Sequence, residues 1–200
     1  QALIFSWILA GIIILNSINI PQMILSRIIL DKEAKITNDF YVIPFKRSIL
    51  GLSYIASSIV VGTIITYISF LFGEAYIYII SGELFSFYTH ILILGIIILC
   101  TTSFSSLMFL IYLFVKTSST IGGLTAFTSS VGGFLAGIYI SIGGLSGLTK
   151  DIISSNPLAH ATALVRGVLM SSQIETIFEG VPAENVKGFS DGMGLNLYAG

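Results

Sequence analysis

The sequence predicts an all-α integral membrane fold, a polytopic helical bundle, from three observations. Apolar residues make up 54% of the 200-residue chain and charged residues only 10%, against about 25% charge in an ordinary soluble domain. The mean hydropathy is +0.96. The few charges are clustered, leaving long stretches with none, which is the pattern of segments immersed in a bilayer.

These quantities also exclude classes of function. The net charge of −1 provides no basic field for nucleic acid. The single cysteine, Cys100, lies inside an apolar run and makes neither an intramolecular disulfide nor a metal cluster. The chain begins at Gln1, already within an apolar segment, and ends in a polar stretch. It is therefore expected to be a fragment of a longer membrane protein, forming a single transmembrane domain over 1–200.

A helix crosses the hydrocarbon core with roughly 20 apolar residues. Four uncharged stretches qualify: Gln1–Ser26 (span A), Ser48–Gly73 (span B), Ile91–Val115 (span C) and the glycine-rich Thr117–Thr149 (span D), the last crossing at about 119–146. The A–B loop, 27–47, carries Arg27, Lys32, Lys35, Lys46 and Arg47, whereas the B–C loop, Glu74–His90, carries no Lys or Arg. Lys116 marks the short C–D turn. The excess of cations places A–B and C–D in the cytoplasm and B–C outside. Aromatic residues around the B–C loop, Phe70 to Tyr88, fit an interfacial belt, and Trp7 marks the outer end of span A.

The tail from 147 to 200 differs in character. Asn156-Pro157 opens a helix, since proline suits the first turn, and Leu158–Ile177 continues it with apolar residues at helical spacing. His160 and Arg166 make it a poor spanning helix, so an external interfacial or re-entrant helix is expected. Gly180–Gly200, with Pro182 and several glycines, reads as an external loop.

The interiors of the four spans contain no ionisable residue, unlike most ion-coupled carriers, and no nucleophile–base arrangement of a hydrolase. His90 and His160 lack a partner at metal spacing. Gly132-Gly133 is not followed by the Lys-Ser/Thr of a phosphate loop. No catalytic, cofactor or metal site is therefore assigned.

Three polar or small-residue patterns remain. Gly122, Ala126 and Ser130, and likewise Ser129, Gly133 and Gly137, recur every four residues in span D, a spacing that lets helix backbones approach closely at a gate, at a subunit interface or within the bundle. Thr101, Thr102, Ser103, Ser105 and Ser106 in span C either bond back to carbonyls one turn earlier or line a polar path, with Thr102 and Ser106 the candidates. Asn16 and Asn19 in span A must find partners in hydrocarbon, as interhelical glue or on that path.

The A–B loop contains Asp31-Lys32-Glu33-Ala34-Lys35, a run suited to a helical turn or two. Pro44 then disfavours helix at Ile43, and Lys46 and Arg47 sit at headgroup level. Physics alone leaves a solvated loop touching anionic lipid as one reading of this segment.

These segments together resemble the membrane-spanning subunit of ABC-2-type ABC transporters. The resemblance rests on Asp31-Lys32-Glu33 after span A and on Ile43-Pro44-Phe45-Lys46-Arg47-Ser48-Ile49-Leu50, similar to the family's "P-x-x-R-x-x-I/L-L" lead-in to a spanning helix. It rests further on the glycine-rich Gly132–Gly137 and on Asn156-Pro157-Leu158 with Arg166-Gly167. It covers Gln1 to about Met170, while the loop from Gly180 is longer than in many relatives.

The resemblance implies that spans A to D correspond to helices two to five of an export permease for drugs, lipids or polysaccharides, multi-pass in the cell (plasma) membrane of a prokaryote. It implies pairing with a second copy or homologue and coupling to a cytoplasmic ABC ATPase that holds ATP and Mg²⁺, this chain being no enzyme itself. Asp31, Lys32, Glu33, Lys35, Pro44, Lys46 and Arg47 would form the ATPase-coupling loop. Asn156, Pro157 and Arg166 would belong to an external re-entrant cap. The rival expectations are an ATPase-independent carrier or channel and a non-transporting mechanotransmission subunit.

Overall fold

A computed structural model describes residues 2–35, 47–82, 84–135, 156–178 and 183–192. These residues are all-helical, with no strand among them. In chain order the helices are α1 (Ala2–Leu25), α2 (Arg27–Glu33), α3 (Arg47–Ser81), α4 (Phe87–Phe114), α5 (Ser118–Leu135), α6 (Pro157–Ile177) and α7 (Ala183–Gly192). Three stretches are long and apolar enough to cross a membrane: Ala2–Glu33, Ile49–Ser81 and Phe87–Phe114. α5 is not one of the three, and residues 136–155, where the sequence places the rest of span D and Gly137, lie outside the described residues.

The elements around the first two spans differ from expectation in instructive ways. Span A does not stop at Ser26. Ser26 keeps helical dihedrals, and α2 prolongs the helix to Glu33, so the first part of the expected A–B loop is helical. α2 ends where Lys35 takes a positive φ of 57° and its N–H donates to Lys32 O. Span B does not stop at Gly73 either. α3 continues to Ser81 and α4 begins at Phe87, so most of the expected Glu74–His90 loop is helical. A charge at Glu74 does not end the helix because its carboxylate finds partners across the turn, and Ile77, Ile79 and Ile80 extend the apolar pattern. Gly82 closes α3 with a φ of +74°, the left-handed position that glycine occupies without strain.

α1 is the central helix. α3 runs antiparallel to it, with Gly62 against Pro21 and Gly73 against Leu9. Pro21 sits inside α1, its ring buried on the groove that Gly62 leaves open. α4 returns parallel to α1, and α5 runs back along α1 so that Thr125 meets Gln22 and Ser129 meets Asn19.

Two apolar clusters stack along this bundle. One, toward the α3–α4 turn, unites Leu9, Ile13, Phe70, Ile93, Ile97 and Leu169. The other, toward α2, unites Ile18, Leu25, Ile29, Met108 and Tyr112.

α6 opens as the sequence predicts. Asn156 Oδ1 accepts from Leu158 N at 2.9 Å, with Pro157 in the first turn. Leu158 packs on both clusters, so α6 starts at the depth where they meet and then runs toward the turn end, burying Val165 and Leu169. α6 thus packs along the bundle, against the cluster that holds Leu9, Ile13 and Phe70. The last expectation to change is the external loop from Gly180, part of which is α7. Phe189 on α7 meets Phe178 at the end of α6 with ring centroids 5.1 Å apart, and that contact gives the short helix an apolar anchor.

Candidate functional site

The charged end of the bundle is built from α2. Ile28 and Ile29 bury one face of this short helix against the lower cluster, which leaves Arg27, Lys32 and Glu33 exposed on the other. Two acids then tie α2 sideways. The Tyr54 hydroxyl on α3 donates to Asp31 Oδ2. The backbone N–H of Ser118, at the start of α5, donates to Glu33 Oε1 at 2.7 Å. An anion at a helix N-terminus also meets the positive end of the helix dipole. Asp31 and Glu33 therefore connect α2 to α3 and α5, while Lys32 and Lys35 stay exposed. Beside this corner an open groove of about 540 Å³ lies between Phe114, Lys116, Thr120 and Leu124. Of the remaining coupling-loop candidates, Arg47 is the first residue of α3, and Pro44 and Lys46 lie outside the described residues.

A polar seam runs up the contact between α1, α4 and α5. Gln22 is fully buried, and its Nε2 donates to Thr125 Oγ1 at 3.3 Å. The Tyr112 hydroxyl donates to the Gln22 carbonyl at 3.4 Å. One turn away Ser129 Oγ donates to Asn19 Oδ1 at 3.2 Å. Asn19 thus acts as interhelical glue, and Asn16 is half-buried on the same helix. Such bonds hold apolar helices in register, because an unpaired amide in hydrocarbon is costly.

The small-residue pattern of α5 splits in two. Ser129 turns to α1 and Gly133 is buried, whereas Gly122, Ala126 and Ser130 are exposed. A Cβ at Gly122 would touch nothing within 4 Å, so this stripe packs against no helix among the described residues. The hydroxyl candidates on α4 face outward. Thr102 and Ser106 are exposed, and Ser106 Oγ bonds back to Thr102 O at 2.9 Å. The buried Ser and Thr side chains of α4 are Thr101 and Ser105, with Thr101 Oγ1 3.0 Å from Thr63 Oγ1 on α3.

At the opposite end two buried features stand out. Arg166 on α6 is fully buried, with its guanidinium carbon 4.1 Å from the centre of the Trp7 ring. Burial pushes its pKa down to about 10, so it remains cationic at neutral pH and a cation–π contact is available. Glu74 Oε1 and His90 Nε2 lie 3.1 Å apart, their side chains 7% and 21% exposed. No group of three or more His, Cys, Asp or Glu that could hold a metal occurs among the described residues.

Comparison with protein-family models, with curated proteins and with solved structures finds no match to this chain.

Sequence reasoning missed Gln22, Tyr54, Tyr112, Thr125 and the Glu74–His90 pair. For Gln22 a signal existed: it follows Asn19 by three residues and so shares its helix face. Glu74 and His90 were hidden by being read as loop. The two tyrosines are apolar in pattern and polar only at the tip.

Proposed function

We propose that this chain is the membrane-spanning permease subunit of an ATP-driven ABC-2-type exporter in the plasma membrane of a prokaryote, moving a drug-, lipid- or polysaccharide-like substrate outward. A cytoplasmic ABC ATPase would bind ATP and Mg²⁺, and a second copy or homologue would complete the path. The observation that carries the reading is α2: a short charged helix that follows α1 through the helical dihedrals of Ser26, and whose acids bond to α3 and α5. Such a helix transmits a push from outside to three spans at once. ATP binding closes the partner ATPases, α2 is displaced, and α1, α3 and α5 tilt together. The nucleotide shifts the equilibrium only through the differential affinity of the ATPase dimer for the two states.

The test is co-purification of the full-length protein with its ATPase, followed by a substrate-stimulated ATPase screen in reconstituted vesicles. Paired Asp31→Ala and Glu33→Ala changes are expected to abolish stimulation while leaving insertion intact. Stimulation at the wild-type level would remove α2 as the coupling element. Labelling of Lys32 or Lys35 from the outer surface would invert the topology and end the reading.

One observation favours a second reading, a carrier working without an ATPase. Glu74 and His90 lie within two of the long apolar helices, and ionisable groups in such helices mark ion or proton routes. Transport driven by a proton gradient in vesicles lacking any ATPase would favour it.

A further inference from the structure

Pro21 leaves a gap in the hydrogen bonding of α1. Proline has no backbone N–H, so the Ser17 carbonyl, one turn earlier, loses its donor in the helical ladder. In hydrocarbon such a carbonyl is satisfied by a neighbouring helix or a nearby hydroxyl. Ser17 is fully buried, and its own hydroxyl is committed to Ile13 O at 2.9 Å.

α3 presents a hydroxyl at that level. Gly62 lies against Pro21 and Gly73 against Leu9, while the rings of Phe5 and Tyr76 meet with centroids 4.9 Å apart. These contacts fix the antiparallel register, and the same register sets Thr66 level with Ser17. Thr66 is fully buried. Ser53, Ser58, Ser69 and Ser81 of α3 donate back to carbonyls of their own helix, and Thr63 turns to Thr101 on α4. The Thr66 hydroxyl does neither, and makes no hydrogen bond among the described residues. A buried hydroxyl without a partner is costly, so a conformation that gives it an acceptor gains.

We propose that α1 hinges at Pro21, and that the Thr66 hydroxyl latches the hinge by donating to the Ser17 carbonyl in a second conformation. Proline supplies the freedom, because no N–H ties position 21 to the preceding turn. Gly62 supplies the close approach, since a Cβ there would lie 3.0 Å from the Pro21 ring. The Thr66 bond supplies the preference, because it satisfies two buried groups at once. The moving arm is the end of α1 after Pro21, together with α2. The inference stands on the packing of α1 against α3 and not on which transport reading holds.

The experiment is pulsed double electron–electron resonance on the full-length protein in lipid nanodiscs, with spin labels on introduced cysteines in a Cys100→Ala background. Met23 and Phe114 are exposed positions on α1 and α4 beyond the hinge, and Ile4 and Phe87 are exposed positions before it. The Met23–Phe114 pair is expected to show two distances and the Ile4–Phe87 pair one. Thr66→Val keeps the shape and removes the donor, so it should lower the share of the latched distance about five-fold, the worth of one ordinary hydrogen bond. Thr66→Ser, which keeps the hydroxyl, should retain the latched distance. Pro21→Ala returns an N–H to the Ser17 carbonyl, so the Met23–Phe114 pair should collapse to one distance that no longer responds to Thr66→Val. A Met23–Phe114 profile identical in wild type and Thr66→Val overturns the proposal. So does a Thr66→Val effect that persists undiminished in the Pro21→Ala background.

Discussion

The Tyr54 hydroxyl donates to the Asp31 carboxylate, fastening the end of α2 to the second turn of α3, twenty-three positions along the chain. A charge-assisted hydrogen bond of this kind is short and stronger than a neutral one. Tyr54→Phe should therefore lower thermal stability by about 1–3 kcal/mol at the half-exposed site. If α2 transmits motion, it should lower substrate-stimulated ATPase activity by more than that loss explains. Asp31→Asn serves as the control, since it keeps the shape but removes the charge. Equal melting and coupling in all three proteins would show that the contact is incidental.

Two glycines on neighbouring helices should respond oppositely to a side chain. A Cβ at Gly62 would lie 3.0 Å from the Pro21 ring, which cannot rotate away, whereas one at Gly95 meets nothing within 4 Å. Gly62→Val should cost about 1–3 kcal/mol by overpacking. Gly95→Ala should be neutral or stabilise by up to about 1 kcal/mol, through lower unfolded-chain freedom. Thermal unfolding in detergent compares the two, and a harmless Gly62→Val would deny the close approach of α1 and α3.

Asn19 and Ser129 should be energetically coupled across α1 and α5. A double-mutant cycle with Asn19→Leu and Ser129→Ala is expected to return about 0.6 kcal/mol, the usual size of such a bond between membrane helices. A coupling indistinguishable from zero would mean that α5 is held by packing alone. Gly133→Leu, at a buried position of the same helix, should disrupt assembly or gating, read by complex yield and transport.

Trp7 is the single tryptophan of the chain, so its fluorescence reports on Arg166 directly. Arg166→Met removes the cation from the ring face and should shift the Trp7 emission and lower stability by about 1–2 kcal/mol. Arg166→Lys should restore part of both, since a lysine is still a cation but lacks the planar stacking surface. Unaltered emission in Arg166→Met would argue against the contact.

Much of the architecture was legible in the chain alone, for reasons that particular residues make plain. Uncharged runs such as Ile91–Val115 can satisfy their backbone in lipid only as helices, and Asn156-Pro157 carries its own capping chemistry. Charge was a poorer guide to where helices end. Glu74 and Arg27 look like boundaries in sequence, yet α3 and α2 contain them, because a helix stops when its backbone and side chains lack partners and not when a charge appears.

The sequence by itself determined the solvent: so few charges, so clustered, commit the chain to helices in a bilayer. Only the tertiary structure decided which polar side chains meet. Asn19, Gln22, Asp31 and Glu74 find Ser129, Thr125, Tyr54 and His90 across distances of 16 to 110 residues. Periodicity along one helix specifies a face. Which neighbour covers that face depends on how several helices cross, and that is a property of their joint packing.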